Sequence, residues 1–156
     1  MANIVIVGAN QGIGYYLVKR LLELNNSVAV LDIEISTITK LQQKYPNNIM
    51  PIIADAQNLE SIQKGIDQAV ERFKSIDIAI HNACYCTFEN EQNSNYDVYQ
   101  KTMDINFYGA LRLAKTVLPY MRKAKKGELF VKVETVTKSQ SMEVVDETKK
   151  SYACSD

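Results

Sequence analysis

Tryptophan is absent from the 156 residues, and histidine occurs once, at His81. A lone imidazole argues against a His-based metal site and against a triad that needs histidine as its base. The three cysteines, Cys84, Cys86 and Cys154, are odd in number and lack metal-ligand spacing. They fit reduced thiols and a cytoplasmic location. Neither charge sign dominates: 18 Lys and Arg stand against 18 Asp and Glu. A nucleic acid or an anionic membrane is therefore not a favoured partner. No apolar run approaches the roughly 18 residues of a membrane span, and no charged segment followed by an apolar stretch marks a signal peptide. Glycine is scarce and unevenly placed. All six lie at or before Gly127, and three of them fall between positions 8 and 14. The composition of the whole chain, 46% hydrophobic and 23% charged, predicts one soluble globular domain with a real core.

Those three glycines mark the most informative stretch. Ile4 to Val7 is an unbroken run of Val and Ile. Gly8-Ala9-Asn10-Gln11-Gly12-Ile13-Gly14 follows directly, and Tyr15 onward has helical spacing. Strand, glycine turn and helix in this order can hold a pyrophosphate. Gly8 lets the chain turn off the strand, Gly12 leaves room for phosphate, and Gly14 lets the helix pack closely on the sheet. The helix N-terminus adds free N–H groups and a positive dipole end.

The G-x-x-x-G-x-G spacing resembles that of the short-chain dehydrogenase/reductase family. The match runs well over about residues 2 to 133 and poorly beyond. The resemblance implies a Rossmann-like α/β fold, a nicotinamide cofactor, and hydride transfer between nicotinamide and a small-molecule carbonyl or alcohol.

Further along, a helix is expected from Gly12 to about Leu24, with Ile13, Leu17, Leu21 and Leu24 on its buried face. Ser27 to Leu31 reads as a second strand, closing on Asp32. That carboxylate lies eighteen residues past Gly14. It can accept the adenosine ribose hydroxyls and repel a 2′-phosphate, which favours NAD over NADP. It can equally cap the segment after Ile33. A short helix from Ile35 to Lys44 and a strand from Ile49 to Ala54 follow. Asp55-Ala56 then either contacts adenine, as the resemblance implies, or simply begins the turn into the next helix. Asn58 is an expected N-cap for a helix carrying Leu59, Ile62, Ile66, Ala69, Val70 and Phe73 on one stripe.

Ile76 to Ile80 is the fourth predicted strand, ending in His81-Asn82-Ala83-Cys84. The family pattern there is Asn-Asn-Ala-Gly. Asn82 and Ala83 match it, and imply a tie between central strands and backbone offered to the nicotinamide side. His81 and Cys84 depart from it. Cys84 adds a side chain where the family has none, which crowds the cofactor or tilts the loop, and a small buried hydrophobe is the commoner role of such a cysteine. Tyr85 to Asn95 suits a surface loop. A long helix from Tyr96 to Ala124 is expected to bury Met103, Phe107, Leu111, Ala114 and Leu118, to kink at Pro119, and to end with Gly127 as its C′ residue. Within it Asn106 matches a family asparagine that bends the helix and holds a water on the proton path. Its other reading is an asparagine on a partly exposed face. Leu129 to Val133 is the fifth strand. Five apolar strands joined by crossover helices predict a doubly wound parallel sheet in order 3-2-1-4-5, with the cleft at the strands' C-terminal ends.

Beyond Val133 the character changes. Residues 134 to 156 hold eight charged side chains and no glycine. This divides the chain into a dinucleotide-binding domain, 1–133, and an atypical polar tail, 134–156. The resemblance implies a Ser near the end of strand five, a catalytic Tyr thirteen residues on, and a Lys four beyond that. Tyr152 fits the tyrosine, and Asp156 stands where the lysine belongs. Ser139 has the right count from Tyr152, whereas Thr135 has the better place on the strand. Tyr152 can also be incidental in a polar tail. A carboxylate beside a phenol raises its pKa, the wrong direction for a proton relay near neutrality. The implied cofactor-facing set is Gly8, Asn10, Gln11, Gly12, Ile13, Gly14, Asp32, Ile33, Asp55, Ala56, Asn82, Ala83 and Cys84. The implied catalytic set is Asn106, Thr135, Ser139 and Tyr152, with no metal. The leading expectation is a short-chain oxidoreductase of impaired activity that self-associates, because family members continue past this point and cover the sheet edge. The alternatives are a non-catalytic NAD-binding or interaction protein, and a truncated or frame-shifted piece of a longer reductase.

Overall fold

The computed structural model describes residues 1–86 and 95–132. Five parallel strands form one sheet in the order β3-β2-β1-β4-β5. They are β1 (Asn3–Val7), β2 (Ser27–Asp32), β3 (Ile49–Ile53), β4 (Ile78–His81) and β5 (Glu128–Val131). β1 lies between β2 and β4, with Ile4 opposite both Val28 and Ile78. Strands covered on both faces read as continuous apolar runs, and β1 and β2 do so. Alternate side chains feed two cores. Ile4, Ile6, Val28 and Val30 meet Val18, Leu22, Ile38 and Leu41 on one face. Val5, Val7, Ala29 and Leu31 meet Ile62, Ile66, Leu113 and Val117 on the other. Pro51, which lacks an N–H, is tolerated because β3 is an edge strand.

The helices are α1 (Gly12–Glu23), α2 (Ser36–Lys44), α3 (Leu59–Phe73), α4 (Tyr96–Met103) and α5 (Gly109–Ala124). A π turn, Asp104–Tyr108, joins α4 to α5. Asn58 caps α3 as expected, accepting from Ser61 N at 3.0 Å.

Two helix faces differ from expectation. In α1 the buried residues are Gly14, Val18 and Leu22, while Leu17 and Leu21 are half-buried against the core and Ile13 and Leu24 are exposed. Ile13, Leu17, Leu21, Val18 and Leu22 cover about half of this helix, and its smallest residue decides which part of that arc meets the sheet: a Cβ on Gly14 would come within 2.7 Å of Ala9 Cα. In the long helix the buried residues are Thr102, Asn106, Gly109, Ala110, Leu113, Thr116, Val117 and Met121. Met103, Phe107 and Leu111 are exposed, and Ala114 and Leu118 half-buried. The π turn adds a residue to the winding, and Gly109 and Ala110 present the low side that fits the sheet.

Smaller shifts occur at element ends. β4 starts at Ile78 rather than Ile76. Lys125, not Gly127, takes the left-handed position at the end of α5, at φ 53°. Lys125 N and Lys126 N then close the helix on Arg122 O and Met121 O. Residues 87–94 of the expected loop, Val133 of the expected fifth strand, and all of 134–156 lie outside the described residues.

Candidate functional site

The sheet reverses its winding between β1 and β4, which is where an open α/β sheet forms a crevice at its strand ends. A cleft of about 630 Å³ lies there. Its walls include Gly8, Asn10, Gln11, Gly12 and Ile13, then Asp32, Ile33, Asp55 and Ala56, then Asn82, Ala83 and Cys84. Residues from four separate stretches are thus brought to one cavity. Gly14 lies beneath the loop in the contact of α1 with the sheet, and Asn106 is buried behind the Tyr85 backbone.

Gly8 turns off β1 at φ 83°, and a Cβ there would fall on the Ala83 backbone. The two strand ends are also bonded. Asn82 N and Ala83 N both donate to Val7 O, at 2.9 and 2.8 Å, and Asn82 Nδ2 donates to Gly8 O. The expected tie between central strands is therefore present. α1 begins after Gln11, which supplies no side-chain cap, and the first turn holds no acidic residue. The positive end of that helix consequently borders the cleft with no acidic side chain in its own first turn.

At the other end, Asp32 Oδ2 accepts from Ala9 N and Asn10 N, each at 2.8 Å. Asn10 is buried, and its Oδ1 accepts from Thr37 N at 2.9 Å and Ile38 N at 3.3 Å. Asn10 therefore caps α2, the helix that Asp32 itself was expected to cap as the alternative to a ribose contact. Asp55 is exposed, and its Oδ1 accepts from Gln57 N at 2.8 Å, so it does start the turn into α3.

The turn after Asp55 is fastened to the long helix. Arg112 Nη1 donates to Ala56 O at 3.1 Å and to Asp104 O at 2.9 Å, and Arg112 pairs with Asp104 through Nη2. Gln57 Nε2 donates to the second Asp104 oxygen at 2.9 Å. Burial pulls the Asp104 carboxyl upward, but the hydrogen bonds from Gln57 and Arg112 and the guanidinium charge outweigh it and hold the group below the usual carboxylate range.

The π turn is held from the strand side by His81. This imidazole is fully buried, with Nε2 3.1 Å from Ile105 O. A carbonyl can only accept, so Nε2 carries the proton. His81 Nδ1 has no partner among the described residues. Burial depresses the His81 pKa, only partly offset by the bond to Ile105. One residue on, Asn106 Oδ1 accepts from Tyr85 N at 2.7 Å and Nδ2 donates to Tyr85 O at 3.1 Å. Asn106 is thus a buried clamp on the loop after β4, with Nδ2 also 3.7 Å from Cys84 Sγ. Cys84 is exposed rather than a buried hydrophobe.

Cleft residues additional to the expected set include Glu34, Gln57, Tyr85, Lys101 and Lys132. Lys101 lies over the Tyr85 ring, 4.4 Å from its centroid. Ile105, four residues on, shares the cleft wall with Lys101, but no sequence pattern marks either residue as cleft-facing. Arg112 and Gln57 meet Asp104 across eight and 47 residues, and no local pattern announces the longer pairing. Thr135, Ser139, Tyr152 and Asp156 lie outside the described residues. Among the described residues, no helix is long and apolar enough to cross a membrane.

The model of the short chain dehydrogenase family matches residues 2–155. The oxidoreductase UcpA of Salmonella typhimurium is 30% identical over 154 residues, covering 97% of this chain and 57% of the relative. An uncharacterized oxidoreductase of Schizosaccharomyces pombe is 27% identical over 135 residues, covering 86% of this chain and 45% of its own. The chain thus spans about half the length of the curated relatives it matches. Among solved structures, a short-chain dehydrogenase from Streptomyces avermitilis superposes with a TM-score of 0.76 at 19% identity, covering 83% of this chain and 48% of that one. A short-chain dehydrogenase/reductase from Saccharomyces cerevisiae gives 0.75 at 24%, covering 82% and 52%. Sheet order, glycine loop and a family match over nearly the whole length agree, and this chain belongs to the short-chain dehydrogenase family of oxidoreductases.

Proposed function

We propose that the cleft binds a nicotinamide dinucleotide, NAD in preference to NADP, and that the chain is the nucleotide-binding part of an enzyme acting on a small carbonyl or alcohol. The observation that carries this reading is the gathering of the glycine loop, Asp32, Asp55 and Asn82-Ala83 on one cavity at the switch point of the sheet. The residues present suit such a ligand. A Cβ built on Gly12 meets no atom within 4 Å, so that side of the loop is open. The uncapped α1 terminus suits the pyrophosphate. Asp32 and Glu34 place two carboxylates near the adenosine end, where a 2′-phosphate is repelled.

A bound nicotinamide would supply the hydride donor or acceptor. The chain's own contribution is positioning. Asn82 and Ala83 shape the floor, and Asn106 holds the Tyr85 backbone beside it. Proton delivery falls to Tyr152, with Thr135 or Ser139 as the hydroxyl near the reacting oxygen. With Asp156 in the lysine's place, the phenol keeps its proton too tightly and the ribose lacks a cationic anchor, so turnover is weak. That departure, together with Cys84 inside the cleft, favours a second reading, a binding protein that keeps the pocket and has lost the chemistry. Residues 1–133 serve as the binding domain and 134–156 as its polar tail. The exposed thiols of Cys84 and Cys86 suit a reducing, cytoplasmic setting. Self-association is supported by exposed Phe130 and Val131 on edge strand β5 and by exposed Met103, Phe107 and Leu111.

Titration calorimetry with NAD and NADP tests the binding. NAD should bind more tightly, and equal affinities would remove the selectivity. NADH oxidation against ketones, aldehydes and quinones tests the chemistry, comparing the chain with its Asp156→Lys and Tyr152→Phe variants. Robust native turnover unaffected by Tyr152→Phe would sink the relay assignment. Activity that appears only with Asp156→Lys supports a retained pocket with lost chemistry.

A further inference from the structure

The glycine loop makes a second set of contacts that nucleotide binding does not require. The N–H groups of Ala9 and Asn10 converge on one oxygen of Asp32, each at 2.8 Å. The other oxygen accepts from Glu34 N at 3.2 Å. In return the Asn10 side chain crosses to the next element and takes Thr37 N and Ile38 N. α2 has no side-chain cap of its own. Two side chains and four backbone N–H groups therefore join the loop to the β2–α2 connection in both directions, and the Glu34 bond steadies the Asp32 carboxylate from its own side. Bonds from backbone N–H to a carboxylate are charge-assisted and roughly twice as strong as neutral ones. They also involve no group on a ligand, so the free chain can make all of them.

We propose that Asp32 is a positioning residue for the glycine loop, and that Asp32 and Asn10 set the loop in its binding shape before any nucleotide arrives. The proposal deepens the reading of the cleft as a dinucleotide site and rests on it for its effect on affinity. It separates two perturbations of Asp32. Asparagine at this position keeps an oxygen that can accept both amides while removing the charge that repels a 2′-phosphate. Alanine removes the acceptor as well, and releases the loop. The charge-neutral variant should therefore relax selectivity, whereas the truncated one should weaken binding of both nucleotides.

The test combines amide hydrogen exchange in the nucleotide-free chain, read by NMR, with calorimetric titration of NAD and NADP into the same proteins. In the native chain and in Asp32→Asn, the Ala9 and Asn10 amides should exchange slowly. In Asp32→Ala they should exchange at least about tenfold faster, with the Val5 to Val7 amides unchanged. Asp32→Asn should narrow the gap between NAD and NADP. Asp32→Ala should lose about tenfold or more in NAD affinity and gain none for NADP. Asn10→Ala supplies an independent arm, with faster exchange expected at Thr37 and Ile38 and also at Ala9 and Asn10. Equal exchange of Ala9 and Asn10 in all four proteins overturns the proposal, and so does a gain of NADP affinity in Asp32→Ala equal to that in Asp32→Asn. If the native chain binds neither nucleotide, the dinucleotide reading falls, and the exchange data alone decide whether Asp32 holds the loop.

Discussion

Lowering the pH from 7.5 to 5.5 should destabilise this protein through one residue. His81 is the only histidine, so the imidazole titration of the chain belongs to it alone. In the unfolded chain it titrates near its ordinary pKa of about 6.5. In the folded chain burial depresses the pKa, because the ring is fully enclosed and Nδ1 has no partner among the described residues to receive its proton. The unfolded state therefore binds more protons over this range. Stability is at its full value above the unfolded pKa and declines as pH falls below it, until the folded pKa is reached. The slope cannot exceed about 1.4 kcal/mol per pH unit for one proton, and the loss between pH 7.5 and 5.5 is at most about 1.4 kcal/mol. Urea unfolding across that interval measures it. His81→Gln should flatten the dependence while retaining a donor toward Ile105 O. His81→Leu should flatten it too, and cost about 1–3 kcal/mol at pH 7.5, because the part-buried Ile105 carbonyl of the π turn loses the imidazole donor. A native stability that is level from pH 7.5 to 5.5, or a slope that survives both substitutions, would refute the reasoning.

Other substitutions test the site's framework. Gly8→Ala should destabilise the chain by at least about 2–3 kcal/mol in chemical denaturation, since φ is 83° and the new methyl falls on the Ala83 backbone. Asn106→Ala removes both bonds to the Tyr85 backbone, and should cost about 1–3 kcal/mol and speed exchange of the Tyr85 amide. Arg112→Met should release the Ala56 turn from the π turn, seen as a lower Tm and faster exchange at Gln57. Asp77→Ala should lose about 1–3 kcal/mol at pH 7 by thermal unfolding, because Asn3 N and the Lys126 ammonium both bond this carboxylate. Those same contacts, the Asn3 hydrogen bond foremost, hold its pKa low, so that contribution is present above about pH 4 and fades as acid protonates the group.

Much of the architecture was legible in the chain itself. Ile4 to Val7 and Val28 to Leu31 are apolar at every position, which only a strand covered on both faces requires, and Gly8 to Gly14 marks the turn between the first strand and helix. Right-handed crossovers narrow the possible strand orders, and the dinucleotide-binding pattern of the first strand, glycine turn and helix selects 3-2-1-4-5 among them. What the tertiary structure decided is which of two adjacent helix stripes is buried. Met103-Phe107-Leu111 and Thr102-Asn106-Leu113-Val117 both suit a helix, and the more apolar stripe lost. Close approach to the sheet favours the side that holds Gly109, and the π turn shifts the phase between Met103 and Gly109. Asn10 gives the same lesson at the site. Its place in the glycine loop suggests a ligand contact, yet its oxygen caps Thr37 and Ile38, 27 and 28 residues away. A hydrogen bond of that span exists only once β1 and β2 lie side by side, so periodicity and spacing carry no trace of it.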